Sequence, residues 1–156
     1  MWVFEETTAE NDFRTVFEWY RQMPAFLKQK PEWQVEDVSA FIDKHREGDA
    51  YKALNNGKMQ GFVYTTDMQV SGITEGHLYC DSEVAHDLLI GLLLFAKQKL
   101  FAKGFHSIVC CVHKRHQTLK QIVSQAGFTP TGYKSWNGID IKGRIFETEI
   151  FITLKR

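Results

Sequence analysis

The sequence predicts an α/β fold: a mixed sheet of about seven strands, mostly antiparallel with one parallel pair flanking a long helix, and about four helices. Three observations carry this reading. Between Tyr79 and Phe128 the chain runs as strand (Leu78-Tyr79-Cys80), apolar helix (Leu88 to Phe95), strand (Ile108 to Val112, within His106 to His113), amphipathic helix (Thr118 to Ala126) and a Gly127-Phe128 stop. Strands that alternate with helices of this length imply parallel pairing through a right-handed crossover. Upstream, Asn55-Asn56-Gly57-Lys58 sits between two strand-like runs and signals a tight antiparallel hairpin. Downstream, Ile145 to Leu154 alternates with period two, giving one apolar and one mixed face.

Taken in order, Trp2-Val3-Phe4 opens as a strand, and Thr7-Thr8 with Glu10 and Asp12 supplies the capping chemistry for a helix. Phe13, Val16, Phe17, Tyr20 and Met23 recur at helical spacing until the neighbourhood of Pro24 ends the helix. Val35, Val38, Phe41 and Ile42 mark a second helix with Gly48 as its stop. The hairpin joins Ala50–Leu54 to Met59–Thr66. Gly72 and Gly76 make the next turn, and His77 to Cys80 is the third antiparallel strand, which feeds the strand–helix–strand–helix unit. After Phe128 the chain passes Tyr133 and Trp136, turns between Asn137-Gly138 and Gly143, and closes on the last strand.

Length and composition bound the function. With 156 residues, 44% hydrophobic and 24% charged, the chain fits one globular domain over residues 1–156. Nineteen Lys+Arg balance nineteen Asp+Glu, which removes the general electrostatic case for nucleic acid or an anionic membrane. The run Leu88 to Phe95 is far too short to span a bilayer, and the first residues carry no secretory signal, so a cytoplasmic location is expected. Cys80, Cys110 and Cys111 make no closed disulfide framework, and the neighbours Cys110 and Cys111 must point to opposite sheet faces. With His77, His113 and His116 they fall on or just after the two strands beside the long helix. Their spacing lacks a zinc pattern, so no metal is expected; a Cys–His nucleophile, Cys80 or Cys111 with His113 or His77, is a further reading.

The element order, together with Lys103-Gly104-Phe105, Val112-His113-Lys114-Arg115-His116 and Ser124-Gln125-Ala126-Gly127-Phe128, resembles the GNAT acyltransferase superfamily over nearly the whole chain. That resemblance implies an acetyl-CoA-dependent enzyme. It also exposes departures. GNAT enzymes usually carry Arg/Gln-x-x-Gly-x-Gly/Ala before the long helix, where bare backbone N–H groups receive the pyrophosphate. An ungapped reading from Tyr79 puts Val84, Asp87 and Leu89 there, and no glycine occurs between Gly76 and Gly91. Counting back from Gly127, His116 stands where many members have asparagine, and Val123 where many have the tyrosine that protonates the thiolate.

Asp81, Ser82, Glu83 and Asp87 bring acidic and polar side chains to this helix start, and Asp81 or Ser82 is expected as its N-cap. In the functional reading Asp81 or Glu83 takes the amine proton, while Tyr79, His113, His116 and Tyr133 stand in for the missing acid. Cofactor contacts are expected from Leu78, Cys80, Ser82, Val84, Lys114 and Lys120, with the backbone near Tyr79 and Cys80 holding the thioester carbonyl. The basic residues Lys114 and Lys120 read equally well as a solvated helix start. The activity implied is transfer of acetyl to a small-molecule or protein amine, with a homodimer compatible. The alternative is an inactive GNAT-fold binding or assembly module, for example one encoded by a phage.

Overall fold

The computed structural model describes residues 1–24, 29–30, 38–45, 48–67, 71–134, 139–140 and 147–156. In chain order its elements are β1 (Trp2–Glu6), α1 (Glu10–Gln22), β2 (Gln29–Lys30), α2 (Val38–His45), β3 (Ala50–Asn55), β4 (Lys58–Asp67), β5 (Ile73–Cys80), α3 (His86–Ala102), β6 (Ser107–His113), α4 (Gln117–Gln125), β7 (Thr129–Lys134), β8 (Ile139–Asp140) and β9 (Thr148–Leu154). Seven strands form one sheet in the order β1-β3-β4-β5-β6-β9-β7. The β5–β6 pair is parallel, and the other five pairs are antiparallel. The predicted fold class is the observed one. Sequence reading did not anticipate the small second sheet of β2 and β8.

Each face of the sheet carries its own core. On one, Leu88, Leu89, Leu92, Leu93, Ala96 and Leu100 of α3 and Ile122 and Val123 of α4 pack with Tyr51, Val63, Ile108, Cys110, Val112 and Phe151. On the other, Phe13, Val16, Phe17 and Tyr20 of α1 and Ile42 of α2 pack with Phe62, Tyr64 and Tyr79. Two glycines let α3 lie close. A Cβ on Gly61 would stand 3.0 Å from Leu89 Cδ2, and one on Gly91 would meet Phe4 Cζ at 2.7 Å.

Local chemistry explains most boundaries. Asn56 and Gly57 both have positive φ, 50° and 84°, as a two-residue hairpin turn requires. Both helices after parallel strands end the same way. Phe105 N–H bonds Leu100 O and Gly104 N–H bonds Phe101 O, while Phe128 N–H bonds Val123 O and Gly127 N–H bonds Ser124 O. These are two Schellman stops, each on a glycine of positive φ followed by a phenylalanine. The apolar run Leu88–Phe95 marks only the first half of α3, which continues to the first of these stops.

Three expectations are corrected. Gly76 lies inside β5 rather than in the preceding turn, which Gly72 makes at φ 84°. Thr7 and Thr8 do not cap α1: the N-cap is Ala9, while Thr7 Oγ1 accepts Ala9 N–H at 3.1 Å and donates to Asp12 Oδ2 at 2.5 Å. Neither Asp81 nor Ser82 caps α3, whose N-cap is Ala85. The intervening loop is long enough to place Asp81 in a turn of its own. Val35, Trp136, Asn137-Gly138, Gly143 and the first residues of the predicted last strand lie outside the described residues.

Candidate functional site

Strands β5 and β6 are paired through Ile73–Ser107, Thr74–Ile108 and Glu75–Val109, yet they run on to Cys80 and His113 without further pairing. They part beyond Glu75. The direction of the β5 amides in this gap follows from two bonds. Asp81 N–H donates to Gln60 O of β4 at 3.0 Å, and the Gly76 amide donates to the Cys110 thiol on the β6 side. Amides alternate along a strand, so those of Leu78 and Cys80 face the gap as well. Gly76 lets Cys110 in: its Sγ lies 3.5 Å from where a Cβ would be.

The turn leaving β5 is organised by Asp81. Its Oδ1 accepts Glu83 N–H at 3.4 Å and the Ser82 hydroxyl at 3.5 Å, and its Oδ2 lies 3.6 Å from Lys58 Nζ. Helix α3 then starts without help from a side chain, since Ala85 has none to offer. Leu88 and Leu89 N–H turn back to Ala85 O, which leaves the His86 and Asp87 amides without a partner among the described residues. These backbone donors and the α3 dipole fit a phosphate. Of the surrounding side chains Ser82, Glu83, His86 and Asp87 are exposed and Val84 is half-buried, none of them Lys or Arg, and the nearby Lys58 faces Asp81. The fit is one of backbone rather than of side-chain charge.

The turn leaving β6 is built in the opposite sense. His116 is the N-cap of α4, and its Nδ1 accepts Leu119 N–H at 3.4 Å. Burial lowers the His116 pKa, which keeps that nitrogen an acceptor. His113 Nδ1 accepts Arg115 N–H at 3.0 Å. Both lysines predicted as cofactor contacts face carboxylates: Lys114 Nζ lies 3.1 Å from Glu147 Oε2, and the well-buried Lys120 Nζ lies 3.9 Å from Glu149 Oε1.

The remaining predicted residues divide by face. Leu78, Cys80 and Val84 pack on the α3 side. Tyr79 packs under α1, where burial, reinforced by Tyr20 and Tyr64, raises its pKa well above the ordinary phenol range. Tyr133 pairs with Glu149 by its backbone, and its side chain lies outside the described part. Cys80 and Cys110 are poor nucleophiles: burial, with Asp81 secondary, pushes the Cys80 thiol to about 11, and burial pushes that of Cys110 to about 12. Among the described residues no group of three His, Cys, Asp or Glu is placed to hold a metal ion.

Sequence reasoning did not single out Glu75, and it raised His77 only as a partner for a cysteine or zinc. By register Glu75, His77 and Tyr79 of β5 share one face with Val109, Cys111 and His113 of β6, so acidic and imidazole groups stand on that face where the strands part. His77 Nε2 lies 3.2 Å from Thr66 Oγ1, and its ring stacks on Tyr64 at 6.1 Å. Period-two alternation through Thr74-Glu75-Gly76-His77 was the available signal, hidden by reading Gly76 as a turn.

No family model and no curated protein matches the sequence. Solved structures do. The chain is similar to an N-acetyltransferase from Staphylococcus aureus Mu50, with 13% identity, a TM-score of 0.79 and 99% of this chain and 98% of that one covered. It is similar to ribosomal-protein-alanine N-acetyltransferase from Brucella melitensis, with 12% identity, a TM-score of 0.80 and coverage of 98% and 99%. It is also similar to a GNAT superfamily phosphinothricin acetyltransferase from Sinorhizobium meliloti in complex with acetyl-CoA, with 16% identity, a TM-score of 0.79 and coverage of 98% and 88%. The fold is that of the GNAT N-acetyltransferases.

Proposed function

We propose that this GNAT-fold chain is an acyltransferase that moves acetyl from acetyl-CoA to an amine. One observation carries the reading: the β5–β6 gap, lined by outward amides of Leu78 and Cys80, opens beside the helix start whose His86 and Asp87 amides have no partner among the described residues. Bound coenzyme A would supply an activated thioester. The His86 and Asp87 amides would hold its pyrophosphate, which replaces the missing glycine loop with backbone donors at a helix N-terminus. The Leu78 and Cys80 amides would face the carbonyl oxygen, where fixed N–H dipoles stabilise developing negative charge.

On the opposite face His77 and Glu75 are the groups placed to take up the amine proton, in place of Asp81, which its own turn and Lys58 occupy. Imidazole and carboxylate are ordinary general bases, and His77 Nε2 lies 3.2 Å from Thr66 Oγ1. Val123 and Tyr79, both buried, offer the gap no proton, so the thiolate leaves without one from these positions. The uncapped helix start favours the enzyme over an inactive assembly module. The acceptor is a small-molecule or protein amine. Among the described residues no helix is long and apolar enough to cross a membrane; a cytoplasmic location is part of this proposal.

Thermal unfolding with acetyl-CoA tests this directly. Stabilisation should grow as RT ln(1 + [L]/Kd). No shift at millimolar acetyl-CoA overturns the reading.

A further inference from the structure

The two edges of the main sheet differ. At the β7 edge Pro130 lacks an N–H and the register shifts between Pro130 and Gly132, both of which discourage strand addition. The β1 edge has neither guard. Met1, Trp2 and Val3 are 86%, 43% and 39% exposed there, and Leu94 of α3, one turn past the Gly91–Phe4 contact, is 47% exposed.

Backbone direction fixes which groups this edge presents. Asn56 N–H donates to Met1 O and Thr7 N–H donates to Ala50 O, so Met1, Val3, Glu5 and Thr7 turn their amide groups to β3. Alternation leaves the N–H and C=O of Trp2, Phe4 and Glu6 pointing outward, with no strand beside them among the described residues. That set is symmetric about Phe4. From this the geometry points to a second copy of the chain as the occupant: two β1 strands pair antiparallel about a two-fold axis at Phe4, making one sheet continuous across both copies.

In this register Phe4 faces Phe4 of the other copy and Trp2 faces Glu6, so every outward N–H and C=O of the three residues finds a partner. Charge agrees with it. Glu5 and Glu6 come opposite Val3 and Trp2 rather than each other, and both are neutralised within their own copy, Glu5 by Lys52 at 3.5 Å and Glu6 by Lys103 at 2.6 Å. A register centred on Glu5 would set two carboxylates face to face. The pairing is independent of the acyltransferase reading, since β3 and β4 separate β1 from β5.

Sedimentation velocity across a concentration series tests the pairing, with Trp2→Pro and Trp2→Glu as variants. Trp2→Pro deletes an outward N–H and no bond to β3, and Trp2→Glu sets a carboxylate opposite Glu6 of the other copy. The wild type should dimerise, and each variant should weaken dimerisation at least about tenfold, which is 1.4 kcal/mol, while its dilute-solution melting temperature and acetyl-CoA shift stay unchanged. A wild type that remains monomeric at high micromolar concentration overturns the inference. So does a dimer that survives both variants.

Discussion

The two strand-to-helix turns, after β5 and after β6, do the same topological job with opposite chemistry. Both follow the parallel strands and feed helices that end on a glycine–phenylalanine stop. After β5 the polar side chains spend themselves on the turn, Asp81 above all, and alanine is left at the N-cap, so amides stay open. After β6 the histidine itself caps the helix, and the nearby lysines face Glu147 and Glu149. The comparison teaches that a helix start rich in acidic residues can be the receptive one, and a basic one the closed one. What decides is where the side chains point.

The comparison breaks most sharply at Ala85. Ala85→Asp supplies the missing cap and should stabilise the fold by ~0.5–2 kcal/mol while placing a carboxylate where phosphate would bind. Acetyl-CoA affinity, read by calorimetry, should then fall at least about tenfold. A variant that is stabilised and still binds acetyl-CoA at full strength would remove His86 and Asp87 from the site.

His116 comes next. His116→Ala should cost about 1 kcal/mol in chemical denaturation, the usual value of a cap, and leave acetyl-CoA binding unchanged. Its pH dependence has a definite sign. The folded pKa is lowered by burial, so as pH falls the unfolded chain takes up this proton first. The contribution is fully present above about pH 6.5 and is lost as pH falls through the folded pKa. His116→Asn keeps a capping acceptor without titrating, and it should flatten the acid side of the stability profile relative to wild type.

The smallest effect belongs to Lys114. Its pair with Glu147 is more than half exposed on the lysine side, so Lys114→Ala should change stability by ~0–1 kcal/mol. Acetyl-CoA binding should not change; a drop of tenfold or more would return Lys114 to the cofactor site.

Much of the fold was legible because its signals are short-range. Asn56-Gly57 demanded positive φ, Gly104-Phe105 and Gly127-Phe128 announced helix ends, and the period of the apolar residues separated strand from helix. The errors share a cause. Gly76 reads as a turn from its neighbours, but Cys110 fills the space beside it only because β6 lies there. The last strand alternates as expected, yet Thr148, Phe151 and Thr153 are its buried residues while Leu154 is 61% exposed. Nothing local to β9 says that it inserts between β6 and β7, or which of its faces meets α3 and α4.

By itself, then, the sequence determined the elements, their hairpin and stops, and the acidic character of the turn after Cys80, because backbone preference and periodicity act over a few residues. Only the tertiary structure decided that β5 and β6 part after Glu75, that the α3 amides stay open, and that Glu75 and His77 share a face with Cys111 and His113. Those outcomes rest on strand order and register, which bring together residues some thirty positions apart whose local patterns carry no record of one another.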